Sequence, residues 1–183
     1  CWNNEHMDSE HQFDTITERV TGVATLDVST LEVREVPPRS LMTLAVRIEN
    51  ARARLDSLQG RVLAELDARG STEVLEGLKT KPWIARECRL DQRVAGQRIR
   101  VGKTLARHLP ETEKALAEGR ISFDHAAVLA RACNDRNAAE LAQVEASLIE
   151  EARWVEFAKW ENLVKNVAAT LDEDGSYDPD ADL

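Results

Sequence analysis

From Ser40 to Gly70 the apolar residues Leu41, Leu44, Ile48, Leu55, Leu58, Val62 and Leu66 return at intervals of three, four or seven. That is the period of one helix face, so the spacing predicts a single long amphipathic helix. Ser40 offers an N-cap oxygen, and Gly60 in the interior costs about 1 kcal/mol relative to alanine, which marks a place for a bend. Two shorter helices follow. Ser71 caps the first, through Leu78. Thr80 caps the second, which carries Pro82 in its first turn, where the missing N–H does no harm, and uses Trp83 and Ile84 as buried anchors. Asp91 reads as the N-cap of a helix from Gln92 to Leu109, with Val94, Val101, Leu105 and Leu109 on one face and Pro110 marking its end. A helix from Glu111 to Glu118 stops at Gly119, suited to a left-handed C′ position, and Ser122 caps another from Phe123 to about Asn134. This is a helix, a glycine turn and a helix. Beyond it, Leu141, Val144, Leu148, Val155, Leu163, Val167 and Leu171 predict two helices between Asn137 and Leu171, broken near Arg153.

The ends carry less pattern. Residues 1–38 are polar and Thr-rich, alternate weakly at Leu31 and Val33, and close on Pro37-Pro38, so they are expected to form an arm of little specified structure. Residues 172–183 are acidic. Thr170, Asp172, Asp174 and Gly175 imitate the start of a calcium loop, but the closing position falls on Ala181, which has no carboxylate, so an acidic linker is the better reading. The expectation is one helical domain over 39–171: an all-α multi-helix bundle with long amphipathic helices and a central helix-turn-helix-like part.

Composition agrees with that class. Aromatic residues make up only 4% while 43% of the chain is hydrophobic, a balance that favours helix over sheet. The three cysteines, Cys1, Cys88 and Cys133, are too far apart to suggest a metal or redox pair. Reduced thiols in the cytoplasm fit best, with Cys88 and Cys133 packed as small hydrophobes. No apolar run is long enough for a membrane span, the N-terminus lacks a signal-peptide pattern, and no cofactor motif is present.

Charge sharpens the picture. The formal net charge is -9, yet residues 79–107 hold nine Lys or Arg against only Glu87 and Asp91, whereas residues 135–183 hold four basic and thirteen acidic residues. Arg86, Arg93, Arg100 and Arg107 lie seven apart, with Arg89, Arg98 and Lys103 nearby. Two successive helices thus present a cationic surface of the kind that double-stranded DNA backbones require. The same residues also suit a solvated face, or pairing with the acidic C-terminal third. A protein-interaction role, with the long helices 40–68 and 137–171 forming a homodimer, is the rival reading.

Catalytic chemistry has little support in the residues. The histidines are His6, His11, His108 and His125, scattered over the arm and two helices, and His125 falls at the third position of its helix, where it caps or packs. Trp154, Phe157 and Trp160 form an aromatic group among glutamates, read as core or interface packing rather than as a base-stacking platform.

The segment from Leu109 to Ala132, LPETEKALAEGRISFDHAAVLARA, is the most distinctive in the chain. Together with Trp83 and the basic stretch before it, it resembles the DUF222 family, known also from 13E12 repeat proteins. The resemblance runs from about Ser40 onward and includes the helix ending in Arg69-Gly70 and the Asp178-Pro179-Asp180 of the tail. It implies a non-catalytic module often followed by an HNH endonuclease. The same segment is similar to a helix-turn-helix piece of ParB-type partition proteins. The expectation is therefore a helical DNA-binding or DNA-positioning part, contacting phosphates through Arg86, Arg89, Arg93, Arg98, Arg100, Lys103 and Arg107, with any nuclease chemistry lying beyond Leu183.

Overall fold

A computed structural model describes residues 2–172, with side chains described from Glu10 onward. The described residues contain nine α-helices: α1 (Trp2–Ala24), α2 (Pro38–Arg69), α3 (Ser71–Glu76), α4 (Thr80–Glu87), α5 (Gln92–His108), α6 (Pro110–Ala117), α7 (Phe123–Ala132), α8 (Ala138–Glu151) and α9 (Phe157–Leu171). The protein is all-α. Apart from Asp172, the acidic tail and its Asp178-Pro179-Asp180 lie outside the described residues.

The chain divides into two compact units, Cys1–Thr43 and Leu44–Leu183. In the first, the stretch read as an arm of little structure contains α1, a helix of 23 residues. Its Phe13, Ile16, Val20 and Val23 recur at helical spacing, a signal that the Thr-rich composition obscured. After α1 come two single 3₁₀ turns, Val28–Thr30 and Val33–Glu35. The first is held by Asp27, whose carboxylate accepts from the Ser29 N–H at 3.0 Å and the Ser29 hydroxyl at 2.6 Å. These bonds to the ionised form lower its pKa. The long helix starts two residues before the predicted Ser40. The Pro37 carbonyl accepts from Ser40 N–H at 2.9 Å and Leu41 N–H at 3.1 Å, and Pro38 occupies the first helical position, where it loses no hydrogen bond.

The second unit is built around α7. Ala126, Ala127, Val128, Leu129, Ala130 and Ala132 are all buried, so this helix is apolar on nearly every side, as a central helix must be. It packs against α5, α6 and α9. The core around it draws Val101 and Leu105 from α5, Ala115 and Leu116 from α6, Leu141, Leu148 and Ile149 from α8, and Trp160, Val164 and Ala168 from α9. Trp160 is wholly buried and its indole N–H donates to the Leu148 carbonyl at 2.7 Å, which satisfies the ring's single donor. Trp154 is different: it lies 75% exposed in the α8–α9 turn, with Arg153 stacked on its ring at 5.3 Å. A smaller cluster of Leu63, Ile84, Ala85, Ala95 and Ile99, flanked by Trp83, joins α2, α4 and α5.

Local signals set most boundaries. The break near Arg153 falls between α8 and α9 as the spacing predicted. Gly119, at φ +72°, ends α6 in a Schellman turn: its N–H reaches the Leu116 carbonyl at 3.0 Å and the Arg120 N–H reaches Ala115 at 2.9 Å. Pro110 opens α6 rather than merely closing α5. The residue before it, Leu109, has no capping side chain. The acceptor comes instead from α8, where the buried Glu145 accepts the Glu111 N–H at 2.7 Å and the Thr112 hydroxyl at 3.0 Å. Desolvation raises the pKa of this carboxyl, against the lowering effect of those bonds. Ser71 and Thr80 both begin helices without capping them; Gly70 and Lys79 hold the cap positions. Thr72 and Thr80 pair their hydroxyls at 3.1 Å in the interior instead.

Gly60 does not interrupt α2. It is the point where α2 meets α5, because an added Cβ on Gly102 would come within 2.9 Å of the Gly60 Cα. The atom nearest to that carbon would be the Gly60 carbonyl oxygen, so only a hydrogen fits there. We expect Gly102→Ala to lower unfolding stability by roughly 2–3 kcal/mol through forced separation of the helices. Urea denaturation would show it as a lower midpoint, and an unchanged midpoint would contradict the close crossing. Gly22→Ala in α1, where nothing lies within 4 Å of the added carbon, should not destabilise.

Candidate nucleic-acid interface

The predicted cationic residues all lie on α4, α5 and the turn between them. That turn is a second Schellman motif. The Leu90 N–H bonds the Ala85 carbonyl at 2.9 Å and the Arg89 N–H bonds Arg86 at 3.4 Å. Its C′ residue is not glycine but Arg89, at φ 52°, a conformation that costs an L-residue roughly 1–2 kcal/mol. Asp91 then caps α5 as predicted, accepting the Arg93 N–H at 2.8 Å.

On α5 the buried residues are Ala95, Ile99, Val101, Gly102 and Leu105. Val94, predicted on the apolar face, is exposed instead. Arg93, Arg100 and Arg107 project from the side opposite the buried one, since a step of seven residues returns almost to the same angle and advances about 10 Å. Arg93 and Arg107 are exposed and Arg100 is half-buried. Arg89, at the head of this row, is also exposed.

Arg86, Arg98 and Lys103 turn toward carboxylates of the same chain. The half-buried Arg98 guanidinium lies 3.3 Å from Asp56 of α2, hydrogen-bonds Gln59, and sits 5.8 Å from the Phe123 ring centre. Its Nε is buried without a partner among the described residues. Burial raises the Asp56 pKa and the Arg98 charge opposes that rise. Lys103 pairs with Asp67 at 2.8 Å, and Arg86 with Glu87 at 2.7 Å and Glu76 at 3.8 Å. Internal pairing therefore does occur: among the described residues Arg86, Arg98 and Lys103 meet carboxylates of α2, α3 and α4.

One basic residue escaped the sequence reading of the site. The Lys81 side chain crosses α5 at Gly96, with its Cε 3.3 Å and Nζ 3.6 Å from where a Cβ would stand. The ammonium thus lies beside the arginine row. A glycine inside an otherwise regular helix was the available hint.

The helix, glycine turn and helix of α6–α7 are present, but α7 is enclosed by the core, so its surface is not what a groove would meet. His125 is packed there. Its Nδ1 lies 2.8 Å from the Ser122 hydroxyl, and its ring contacts Phe157 edge-on at 4.9 Å and Trp160 at 4.7 Å. Burial lowers its pKa from 6.5, Asp124 acting in the opposite direction. Cys88, predicted as buried, is exposed, because it follows the last turn of α4 rather than lying within it. Cys133 is half-buried and its thiol is pushed up to about 11 by desolvation. Among the described residues no cluster of three His, Cys, Asp or Glu could hold a metal ion, and no helix is long and apolar enough to cross a membrane.

Residues 42–182 match the family described as "Domain of unknown function (DUF222)", and the chain belongs to that family. No curated protein matches the chain. No solved structure does either.

Two outcomes follow from the local geometry. Arg89→Gly removes a charge from the candidate surface while relieving the left-handed strain, so it should raise stability by about 1 kcal/mol, read from the thermal midpoint. For His125 the folded pKa is below the unfolded one, so the unfolded chain binds more protons. Stability is then complete above pH 6.5 and is lost as pH falls through that value. His125→Phe should flatten that part of the stability profile relative to the parent between pH 7.5 and 5.5.

Proposed function

We propose that this chain is a non-catalytic, cytoplasmic module that grips double-stranded DNA by its phosphates through the outer face of α5. The observation that carries the proposal is the row Arg93, Arg100 and Arg107, aligned opposite the buried side of α5 and headed by the strained, exposed Arg89. Two steps of about 10 Å make the row roughly 21 Å long, which covers about six base pairs of duplex rise. Guanidinium groups bind phosphate oxygens in a bidentate manner, and no base edge needs to be reached. The contacting set is narrower than the seven residues first predicted. Arg98 and Lys103 act inside the fold by holding α5 to α2, while Lys81 joins the row from the side. The module supplies grip and position.

Duplex binding measured against salt concentration tests this. Arg93→Ala/Arg100→Ala/Arg107→Ala should weaken binding and reduce the slope of log affinity against log salt by up to about 2.7, three contacts at roughly 0.9 each. Arg98→Ala should change stability far more than the slope. An unaltered slope in the triple variant would remove the basis for the phosphate reading.

A further inference from the structure

Helix α4, the turn 88–91 and α5 make a helix-turn-helix arrangement of their own, separate from α6–α7. Ile84 and Ala85 of α4 and Ala95 and Ile99 of α5 share one buried cluster with Leu63 of α2. In the turn, Arg89 holds a left-handed position, where such motifs often carry glycine. The two arrangements differ in what the later helix leaves open. Ala126 to Ala130 of α7 are all buried, whereas α5 buries Ala95, Ile99, Val101, Gly102 and Leu105 on one side and keeps Arg93 and Arg107 exposed on the other.

Two kinds of side chain share that open side. At about 100° per residue, Gln97 stands about 40° around the helix from Arg93 and about 60° from Arg100, and Thr104 stands in the same relation to Arg100 and Arg107. Gln97 and Thr104 therefore form a lane parallel to the arginine row, with about 10 Å between them. Both are half-buried, and among the described residues neither side chain has a hydrogen-bonding partner. A face used for phosphate alone would gain from further Lys or Arg at these two places. An amide and a hydroxyl there offer directional hydrogen bonds instead.

We infer that α5 enters the major groove of double-stranded DNA and that Gln97 and Thr104 meet base edges there, which makes the contact selective for sequence. The inference rests on the phosphate reading and adds base recognition to it. A helix about 10–12 Å across fits a groove about 12 Å wide, and the minor groove, at about 6 Å, does not admit it. With the arginine row along the phosphates of one strand, the neighbouring lane is turned toward the groove floor. The Gln97 amide pairs a carbonyl acceptor with an NH2 donor, the complement of the N6 donor and N7 acceptor of adenine. The Thr104 hydroxyl, which can donate or accept, meets a base about three pairs further on, at a rise of about 3.4 Å per pair.

Selection from a pool of random duplexes by the 183-residue chain, followed by affinity measurements on the enriched and a scrambled duplex, tests it. The parent should enrich a motif containing an adenine and bind it at least about tenfold more tightly than the scrambled duplex. Gln97→Ala should lose at least about fivefold in discrimination at that adenine, with affinity for the scrambled duplex, salt slope and helicity by circular dichroism unchanged. Thr104→Val, which removes the hydroxyl at nearly constant volume, should weaken the preference about three pairs away and leave the adenine selected. An enriched motif that both variants still select in full overturns the inference. Duplex binding with no enriched motif overturns it too, and both results leave the phosphate grip standing. If the parent binds no duplex at all, the phosphate reading fails and this one with it.

Discussion

The approach of α2 to α5 at Gly60 and Gly102 governs much of the rest. With no side chain on either residue the two backbones come into contact, and this fixes how α5 is rotated about its own axis. Once that rotation is set, Arg98 and Lys103 face Asp56 and Asp67 of α2, Leu105 and Val101 enter the core, and Arg93 and Arg107 are left exposed. A helix with nine cationic residues in and near it would otherwise have no single preferred orientation. The small residues choose one, and the ion pairs beside the crossing reinforce it. Because these pairs are only part-buried, their own worth is modest; their contribution is to orientation.

How much of this was legible in the sequence depends on the range of the interaction. Caps and glycine turns are local, and Asp91, Gly119 and the break near Arg153 were read correctly because each residue determines its own neighbourhood. Ser40, Ser71 and Thr80 were less informative. A hydroxyl preceding an apolar run is compatible with several starting points, and at Thr80 a partner eight residues away, Thr72, took the hydroxyl. The helix in residues 2–24 was missed because its β-branched and polar composition outweighed a correct apolar spacing. For the site, the seven-residue arginine row was visible and lies on one face. What the sequence could not provide was which cations meet carboxylates from distant helices. Arg98 and Asp56 are 42 positions apart, and Lys81 meets α5 only because the α4–α5 turn folds back.

The same distinction explains the acidic total charge. The chain carries nine more acidic than basic charges, but the carboxylates of Asp56 and Asp67 that meet Arg98 and Lys103 on the inner side of α5 belong to α2, and in the C-terminal third Glu150, Glu156 and Glu161 pair with Arg153, Lys159 and Lys165. Arg93 and Arg107 remain exposed on the outer face of α5. Membership of the DUF222 family adds no chemistry to this; it is the arrangement of side chains that separates a cationic face from an otherwise acidic protein.

The carboxylate of Glu145 has a consequence for how the domain comes into being. Helix α6 begins at Pro110, and the acceptor for its free N–H at Glu111 is supplied from 34 residues further along the chain. During synthesis at the ribosome, α6 emerges with its amino end open and cannot be completed until α8 has also left the exit tunnel. The glycine turn and α7 emerge between them, with α5 ahead of them but the covering from α8 and α9 still to come. A nascent chain stalled before Glu145 would therefore lack both the acceptor for the Glu111 N–H and the α8 and α9 sides of the core around the buried helix α7.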